Sequence, residues 1–403
     1  MDITNLGKNI ADLRKKRGLT QSQLAAALNV SNKTVSKWER NQGYPEITQL
    51  PAIAEFFDIS LDNLLSDERK GIALAGNILT DIVKTVDCYP KRGMLSNIKT
   101  ISRCVGGCVP NTAIDLAKID RTIPLFALGC VGDDENGRYS ISTLQRYNIN
   151  VDNVITSKSS PTSFSDVISE VSGERTFFHA RGANAEFNPS QIDIDSLSCR
   201  ILHIGYILLL DSFDKEDSEY GTVMARFLHD VKQRGIETSI DAVSDSSGNY
   251  KSKIVPALKY CDYVIINEVE ACMVSGLEPY NEDGSLNLEN IEKTMRQLAD
   301  CGVSKKVIVH CKSAGFCYNV ATNTFTRVNS INIPKSEIKG SVGAGDAFCA
   351  GSLYGIYNAF SDKEILEFAS VSAAANLFAE NSIDGLRSRK ELLKIYEKYG
   401  RIQ

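Results

Sequence analysis

The sequence lacks the segments that mark membrane proteins and zinc-binding proteins. Its most apolar run, residues 201–210, contains His203 and is far too short to cross a bilayer, so it predicts a buried strand. The first residues contain no apolar stretch of the kind found in secretion signals. The eleven cysteines include no Cys-x-x-Cys pair and only four histidines are present, which argues against a zinc site. We therefore expect free thiols in a cytoplasmic protein with no membrane partner.

The chain also lacks the overall positive charge of many nucleic-acid-binding proteins, because its net charge is −5. The charge is uneven, however, since residues 1–40 contain eight basic and three acidic residues. Up to about residue 66 the sequence shows short amphipathic helical patterns, and afterwards strand-like runs alternate with helical stretches. This alternation predicts a mostly parallel sheet covered by helices. We divide the chain into a domain of residues 1–66, a linker of residues 67–72 and a domain of residues 73–403.

Residues 19–47 predict two short helices joined by a tight turn. Thr20 suits the N-cap of the first helix, and Ser31 or Asn32 suits that of the second. Val35 and Trp38 would then face inward, which leaves a polar and basic outer face that suits the major groove of DNA. From the charges alone, a solvated face on a small helical bundle is the simpler interpretation.

The segment from Leu13 to Leu65, which contains LTQSQLAAALNVSNKTVSKWE, closely resembles the Cro/cI (XRE) family of helix-turn-helix domains. The resemblance extends over about residues 5 to 65. It implies a small all-α domain of five helices, with Trp38, Leu50, Ile53 and Phe57 in the core. It also implies double-stranded DNA as a partner, bound by a homodimer on two half-sites. The DNA-binding positions that it implies are Gln21, Asn32, Lys33, Thr34 and Lys37.

The segment KGSVGAGDAFCAG, residues 339–351, carries the clearest sign of chemistry. It has neither the Lys-Ser/Thr pair of a Walker loop nor the glycine spacing of a dinucleotide-binding loop. A helix beginning near Ala344 would present backbone N–H groups to an anion, which Gly343 and Gly345 would allow to approach closely. Asp346, in the first turn, could take the proton from a hydroxyl group that accepts a phosphoryl group. The loop alone is equally compatible with a strand-to-helix turn in which Asp346 is only a helix N-terminal charge.

Two polar residues near the start of the second domain are candidates for ligand binding. The segment of residues 74–81 predicts a strand that ends in Asp81, and Asn111 opens a helical pattern after two glycines. Ligands of α/β sheets bind at the carboxyl ends of strands, where Asp81 and Asn111 could bind sugar hydroxyls. Taken singly, each of these residues is more often a cap or a turn residue.

A third pair of polar residues follows the predicted strand YVIIN. This strand ends in Asn267, and Glu270 follows three residues later. Together they could hold Mg²⁺ near substrate phosphates, partly through water. Taken alone, Glu270 is better explained as a residue of a helix N-terminus.

Five segments, VGAGDAFCAG, GNILTD, GGCVPNTA, VGDDENG and NEVE, together closely resemble the ribokinase/PfkB family of carbohydrate kinases. The resemblance extends over about residues 72–390. It implies an α/β fold of the Rossmann-like ribokinase type with a small β-sheet lid, for which residues 83–104 and 162–180 are candidate segments. ATP and Mg²⁺ are the cofactors that it implies.

The resemblance also implies roles for individual residues. Asp346 is the catalytic base, and the amides of Gly343, Ala344 and Gly345 form the anion hole. The implied substrate-binding positions are Asp81, Gly106, Gly107 and Asn111. Lys312 and Asn376 are implied near the nucleotide, and Asn267 and Glu270 at the Mg²⁺ and phosphates.

The sequence thus predicts an ATP-dependent carbohydrate kinase that also binds DNA, as a regulator that responds to a sugar. Two alternatives stay open. The kinase domain could serve only as a sugar sensor of a transcription factor, or the acceptor could be a nucleoside. The intact Asp346 favours the enzyme, because a pure sensor need not keep a base.

Overall fold

In a computed structural model of the chain, residues 6–57, 59, 61–65, 69–170, 175–243 and 249–402 are described. The first two residues of the predicted linker and residues 171–174 of the second predicted lid segment lie outside the described residues. The chain divides into two compact units, residues 1–70 and residues 71–403. Each unit has its own hydrophobic core.

The N-terminal unit consists of short helices joined by turns and loops, with no strand among its described residues. Its helices are α1 (Leu6–Lys16), α2 (Gln21–Ala27), α3 (Asn32–Glu39), α4 (Leu50–Phe56) and α5 (Leu61–Leu65). Local sequence explains the beginnings of α2 and α3. The Thr20 side chain accepts a hydrogen bond from the Gln23 amide, and the Ser31 side chain accepts one from the Thr34 amide. These are the caps that the sequence predicts, with Ser31 rather than Asn32 at α3.

The core of this unit contains the apolar residues that the sequence placed there. Trp38 and Val35 of α3 pack with residues of the other helices, and Leu50, Ile53 and Phe57 are buried. Burial of such side chains contributes about 1.5 to 3 kcal/mol each, which is more than short helices gain from helix propensity. Packing around Trp38 therefore holds the five described helices together.

The C-terminal unit is built on a nine-stranded sheet. Its strands are β1 (Ile72–Ala75), β4 (Leu125–Gly132), β5 (Ile149–Ser157), β8 (Ile201–Ile207), β11 (Glu237–Ala242), β12 (Tyr263–Asn267), β13 (Lys306–His310), β14 (Ala314–Asn319) and β15 (Thr324–Asn329). Their order across the sheet is β15-β14-β13-β12-β11-β8-β1-β4-β5. All neighbouring pairs are parallel except β13–β14 and β14–β15.

Helices cover both faces of this sheet. They are α6 (Cys108–Ile119), α7 (Glu135–Arg146), α8 (Val223–Gln233), α9 (Tyr250–Leu258), α10 (Glu268–Ser275), α11 (Leu288–Asp300), α12 (Ala344–Tyr357), α13 (Asp362–Asn376) and α14 (Arg389–Lys398). In β1, Ile72 and Leu74 belong to one core cluster, whereas Ala73 and Ala75 belong to the other. The strand is therefore buried on both faces, which explains why the central strands are continuous apolar runs.

A separate four-stranded sheet forms the lid. Its strands are β2 (Leu79–Val86), β3 (Ile98–Gly106), β6 (Ser163–Glu170) and β7 (Arg175–Ala180), in the order β3-β2-β6-β7. The remaining strands, β9 (Glu216–Asp217) and β10 (Gly221–Thr222), form a short hairpin. The lid sheet begins at Leu79, four residues before the first predicted lid segment.

Two predictions about local structure were wrong. Residues 74–81 do not form one strand that ends in Asp81, because β1 ends at Ala75 and Asp81 is the third residue of β2. The break occurs at Gly76, whose φ is +134° and whose Cβ, if it had one, would lie 2.7 Å from the carbonyl oxygen of Gly205. Asn111 does not open α6, because that helix begins at Cys108.

The described residues contain no helix that is long and apolar enough to cross a membrane. All eleven cysteines are free thiols, as the sequence predicted.

Candidate active site

The glycine-rich loop leads directly into helix α12. Gly343 is the N-cap of this helix with φ +80°, a left-handed conformation that favours glycine. A Cβ at this position would lie 2.5 Å from the Cβ of Ser382, so a larger residue would also clash. A Cβ at Gly345 would meet only the imidazole of His310, at 3.5 Å, so the space beside Gly345 is less crowded. The start of α12 thus has the geometry and the dipole of an anion site.

Asp346 lies in the first turn of α12, and the residue is 6% exposed. The side-chain amide of Asn111 donates to its Oδ2 at 2.8 Å. The hydroxyl of Tyr206 lies 3.0 Å from Oδ1 and 3.1 Å from Oδ2 and donates to the carboxylate. Burial raises the pKa of Asp346 to about 6, although both hydrogen bonds lower it. A carboxylate with this pKa is ionised at neutral pH and is a stronger base than an exposed aspartate.

Asn111 is itself held in one orientation. Its Oδ1 accepts a hydrogen bond of 2.8 Å from the hydroxyl of Ser382, and its nitrogen donates to Asp346. Helix α6 brings Asn111 to this place because Gly107, the N-cap, turns the chain with φ +92°. A Cβ at Gly107 would lie 2.4 Å from the carbonyl oxygen of Asn77, so glycine is required here by space as well.

Asp81 lies beside Gly106, on the lid side of the site. A Cβ at Gly106 would lie 2.3 Å from Oδ2 of Asp81, so the absence of a side chain gives the carboxylate its place. A cleft of about 310 Å³ begins here, lined by Asp81, Val342, Ser382 and lid strands. The structure therefore brings all four predicted substrate-binding positions to the region between the lid and α12.

The lid face that lines this cleft follows from strand register. Three cross-strand rows point the same way, because side chains alternate along each strand. The row nearest the glycine-rich turn is polar, the next is mainly apolar and the outermost carries hydroxyl groups. The rows are Cys104–Asp81–Ser165–His179, Ser102–Val83–Val167–Phe177, and Thr100–Thr85–Ser169.

The predicted metal pair forms a helix cap. The Asn267 side chain accepts from the Glu270 amide at 2.8 Å, and the Glu270 carboxylate accepts from the Asn267 amide at 3.2 Å. This is the capping box of α10, the simpler interpretation that the sequence already offered for Glu270. The cap fixes the buried Glu270 carboxylate near the strand ends.

A second carboxylate, missed by the sequence analysis, adds to this group. Burial raises the pKa of Asp241 well above its usual range, and the charges of Glu270 and Asp346 raise it further. The charges of Glu270 and Asp346 thus disfavour ionisation of Asp241, and a hard divalent cation would relieve this. Within the described ranges, no three side chains from His, Cys, Asp and Glu form a complete metal site. Mg²⁺ needs only one or two protein carboxylates when waters and phosphates complete its shell, so Asp241 and Glu270 fit it.

The two predicted nucleotide positions have different surroundings. Lys312 is exposed in the turn between β13 and β14. Asn376 is the last residue of α13 and is fully buried, and its amide nitrogen donates to the carbonyl oxygen of Val342 at 2.7 Å. The role of Asn376 near the nucleotide stays a prediction. In this structure its side chain holds the glycine-rich loop at Val342.

Tyr206 is another residue that the sequence analysis missed, because it lies in the apolar run that predicted β8. Its only local signal is a polar group one residue from the end of a parallel strand. Asp241 has the same signal at the end of β11. The rule that directed attention to Asn267 would have found both residues if it had been applied to every strand.

In the N-terminal unit, α3 presents the predicted DNA-binding side chains. Asn32, Lys33 and Lys37 are exposed, and Thr34 is partly buried beside Ser31. Gln21 differs, because its amide donates to Glu39 at 2.7 Å.

Glu39 also pairs with Arg14, at 2.6 Å. In this form of the molecule, Gln21 thus belongs to a hydrogen-bonded group that joins α2 to α3 and α1.

Comparisons with known proteins agree with this geometry. The model of the pfkB family carbohydrate kinases matches residues 70–389, and a helix-turn-helix family model matches residues 10–64. The ribokinase of Schizosaccharomyces pombe is 24% identical over 325 residues, which cover 80% of this chain and 96% of that protein. The HTH-type transcriptional activator BcrR of Enterococcus faecalis is 44% identical over 62 residues, which cover 15% of this chain and 30% of that protein.

A solved structure shows the same fold. The ribokinase of Arabidopsis thaliana, complexed with ribose and ATP, superimposes with a TM-score of 0.67 at 20% identity. The match covers 81% of this chain and 98% of that one. Both predicted resemblances, and the predicted α/β fold with a lid after a helix-turn-helix domain, are confirmed.

Proposed function

The chain belongs to the pfkB family of carbohydrate kinases and carries an N-terminal helix-turn-helix domain, and from this we propose that it phosphorylates a sugar and binds DNA. The reaction transfers the terminal phosphoryl group of ATP to a hydroxyl group of the sugar. One observation carries the proposal: a buried carboxylate, Asp346, lies in the first turn of a helix that begins at a glycine cap.

Asp346 serves the acceptor in this proposal. Its carboxylate takes the proton of the sugar hydroxyl as the oxygen attacks the phosphorus atom. With a pKa of about 6, it is ionised before the reaction and can still hold the proton during it. Asn111 orients the base through the 2.8 Å hydrogen bond to Oδ2.

The start of α12 serves the phosphoryl group. The amides of Gly343, Ala344 and Gly345 lie at the positive end of the helix dipole, where negative charge is stabilised. The Ala344 amide makes only a long turn hydrogen bond of 3.3 Å to the carbonyl oxygen of Ser341 in this form. We infer that a bound phosphoryl group replaces Ser341 as its partner.

Asp241 and Glu270 are the residues that would hold Mg²⁺, with the Asn267 cap keeping Glu270 in place. Bound Mg²⁺ would neutralise charge on the phosphates of ATP. Lys312, in the exposed turn after β13, would meet the nucleotide from the solvent side.

The acceptor would lie in the 310 Å³ cleft, where Asp81 would bind one of its hydroxyls. Asn111, which contacts Ser382 of the cleft lining, would bind another, and Gly106 and Gly107 would leave room beside Asp81 and Asn77. The lid would exclude water, which competes with the sugar hydroxyl for the phosphoryl group.

The decisive experiment incubates the purified protein with Mg-ATP and a panel of sugars and nucleosides. We expect one sugar to release ADP and to yield a product heavier by one phosphate in mass spectrometry. Asp300→Asn, which changes an exposed carboxylate at the end of α11, is the matched control for Asp346→Asn. If no acceptor is phosphorylated but one of them alters DNA binding, the kinase domain is a sensor and the proposed activity is wrong.

A specific observation favours a nucleoside as the second candidate acceptor. The middle row of the lid face offers Val83, Val167 and the ring of Phe177, which is 56% exposed. A flat base could stack on this ring while its edge meets the hydroxyl row beyond. If nucleosides outcompete sugars in the panel, and Phe177→Ala removes that preference, the acceptor is a nucleoside.

We further propose that the chain is a sugar-responsive regulator that binds an operator as a homodimer. The exposed residues Asn32, Lys33 and Lys37 of α3 would enter the major groove, with Thr34 and Gln21 near the backbone. Regulation requires the acceptor or its phosphate to bind two forms of the protein with different affinity. The test selects bound sequences from random DNA and repeats the binding with and without the acceptor. Equal affinities would remove the regulatory part of the proposal.

A further inference from the structure

Tyr206 makes an unusual approach to Asp346. Its backbone φ is +62°, and that of Leu208, two residues later, is +86°. Non-glycine residues rarely adopt this region, and they keep it only where surrounding structure holds them there. The result of the distortion is that the phenol, at the end of β8, contacts the Asp346 carboxylate in α12.

The phenol of Tyr206 and the side-chain amide of Asn111 both donate hydrogen bonds to the Asp346 carboxylate. The amide donates to Oδ2, while the single phenolic proton is shared between Oδ1 at 3.0 Å and Oδ2 at 3.1 Å. The last torsion of an aspartate side chain is broad, so a carboxylate without partners samples many orientations. Two donors on different elements remove that freedom. Each carboxylate oxygen has about two acceptor positions, so Oδ1 keeps one for another donor.

The phenol remains a donor over the working pH range. Burial, and then the charge of Asp346, raise the pKa of Tyr206 well above its usual value. The other titratable groups that face the pair come from α6, β11 and α12, and all of them are acidic or neutral. They are Cys108, Asp115, Asp241 and Cys349, and Glu270 of α10 acts on Asp241.

We propose that Tyr206 is a positioning residue of the phosphoryl-transfer site: with Asn111 it holds Asp346 in the one orientation that leaves Oδ1 open to the acceptor hydroxyl. This inference rests on the proposed function, because it assigns Tyr206 to the base of that reaction. In this role of Tyr206, the left-handed backbone at the end of β8 serves to bring the phenol to Asp346.

The first test is the kinetics of Tyr206→Phe, which keeps the ring and removes the hydroxyl. We expect kcat to fall roughly tenfold to a hundredfold, as for the loss of a hydrogen bond to a charged group, with KM for both substrates within about twofold. Tyr318→Phe is the matched control, because it removes a phenolic hydrogen bond of 2.7 Å to Asn323, and it should leave kcat unchanged. A rise in the acceptor KM with unchanged kcat would overturn the proposal, because Tyr206 would then bind the substrate instead.

A double-mutant cycle separates positioning from a general structural effect. In the background of Asp346→Asn, adding Tyr206→Phe should lower the residual rate by less than twofold, because its partner is already changed. If Tyr206→Phe costs the same factor in both backgrounds, it does not act through Asp346, and the proposal fails.

A spectroscopic arm decides the inference even if no acceptor is found and the proposed function is wrong. The ¹³C carboxyl signal of Asp346, identified by its loss in Asp346→Asn, is titrated without Mg²⁺ in the full-length protein. In Tyr206→Phe the midpoint should rise, because the variant removes a hydrogen bond to the ionised form. An unchanged midpoint would overturn the inference. A raised midpoint without kinase activity would support the contact and contradict the proposed function alone.

Discussion

The two units present their candidate functional residues in opposite ways. In the N-terminal unit, one short helix, α3, carries Asn32, Lys33 and Lys37 on an exposed face, outside the core. In the C-terminal unit, α6, β8 and α12 bring Asn111, Tyr206 and Asp346 into one hydrogen-bonded group.

This difference predicts how substitutions combine. Exposed side chains that each contact a ligand contribute nearly independent amounts of binding energy. Side chains that hold one another lose their effect together, and their substitution also changes the stability of the fold. The DNA-binding face should therefore behave as a sum of contacts, and the catalytic site as a unit.

The largest expected effect is that of Asp346→Asn on phosphoryl transfer. Without the base, kcat should fall by about 10² to 10⁴, the range of general-base catalysis. The amide has the same shape as the carboxylate, and its single carbonyl oxygen can still accept the hydrogen bond from Asn111. The acceptor should therefore bind with nearly unchanged affinity in calorimetry.

Asp300→Asn controls for the loss of one charge and should retain full activity. A turnover of Asp346→Asn within fivefold of the wild type would show that no single residue of the group Asn111, Tyr206 and Asp346 is essential for catalysis. The contrast with the DNA-binding face would then disappear.

The next largest effect concerns the glycine cap of α12. Gly343→Ala places a Cβ 2.5 Å from Ser382 and forces a side chain on a residue with φ +80°. We expect a loss of roughly 1 to 3 kcal/mol in the free energy of unfolding, together with most of the activity.

The matched control separates strain from the clash. Gly284 has nearly the same φ, +79°, but nothing lies within 4 Å of its would-be Cβ. Gly284→Ala should therefore lose only the smaller cost of the backbone conformation and keep full activity. If chemical denaturation shows that both variants lose the same free energy of unfolding, Ser382 moves away from the new Cβ at no energetic cost.

How much the sequence predicted depends on whether a feature is local. The caps at Thr20 and Ser31, and the start of α12 after Gly343, follow from a few adjacent residues, and the structure contains them. The central strands could be predicted equally well, because strands that are buried on both faces have distinctive continuous apolar sequences.

Features that depend on contacts between residues far apart in the chain could not be predicted from sequence patterns. The strand break that places Asp81 in the lid arises where Gly76 meets Gly205, a residue far along the chain. The buried contact of Asn376 with Val342 and the phenol of Tyr206 on Asp346 likewise join separate elements. Sequence patterns identify which polar residues reach the site, whereas packing decides which of them hold one another.

The pH dependence of the free energy of unfolding tests whether the buried carboxylate of Asp346 destabilises the fold. Asp346 has a pKa of about 6, above the ordinary aspartate value of 3.8, so the folded state binds its proton more tightly than the unfolded state. The contribution of this group to stability is therefore lost as pH rises through about 6. Asp346→Asn lacks this loss, so its stability relative to the wild type should grow by about 1 kcal/mol between pH 5 and pH 8.

The measurement is urea denaturation of both proteins without Mg²⁺ or nucleotide, with Asp300→Asn as the control. A difference that is constant with pH would show that Asp346 is ordinarily solvated in the folded state. Ionised Asp346 would then lower the free energy of unfolding no more than an exposed charged side chain of α3 does.

The smallest expected effect is that of Lys37→Ala on DNA binding, and it sharpens the comparison from the other side. Lys37 is exposed in the last turn of α3, so its loss should leave the thermal unfolding midpoint unchanged. Operator affinity should fall about threefold, and the slope of log K against log salt should decrease in magnitude by about one, because one phosphate contact is lost. Lys293→Ala removes the same charge from an exposed site of the C-terminal unit and should change neither quantity. If Lys33→Ala and Lys37→Ala together weaken binding by the product of their single effects, the face is additive, and a non-additive result would mean that α3 also works as a unit.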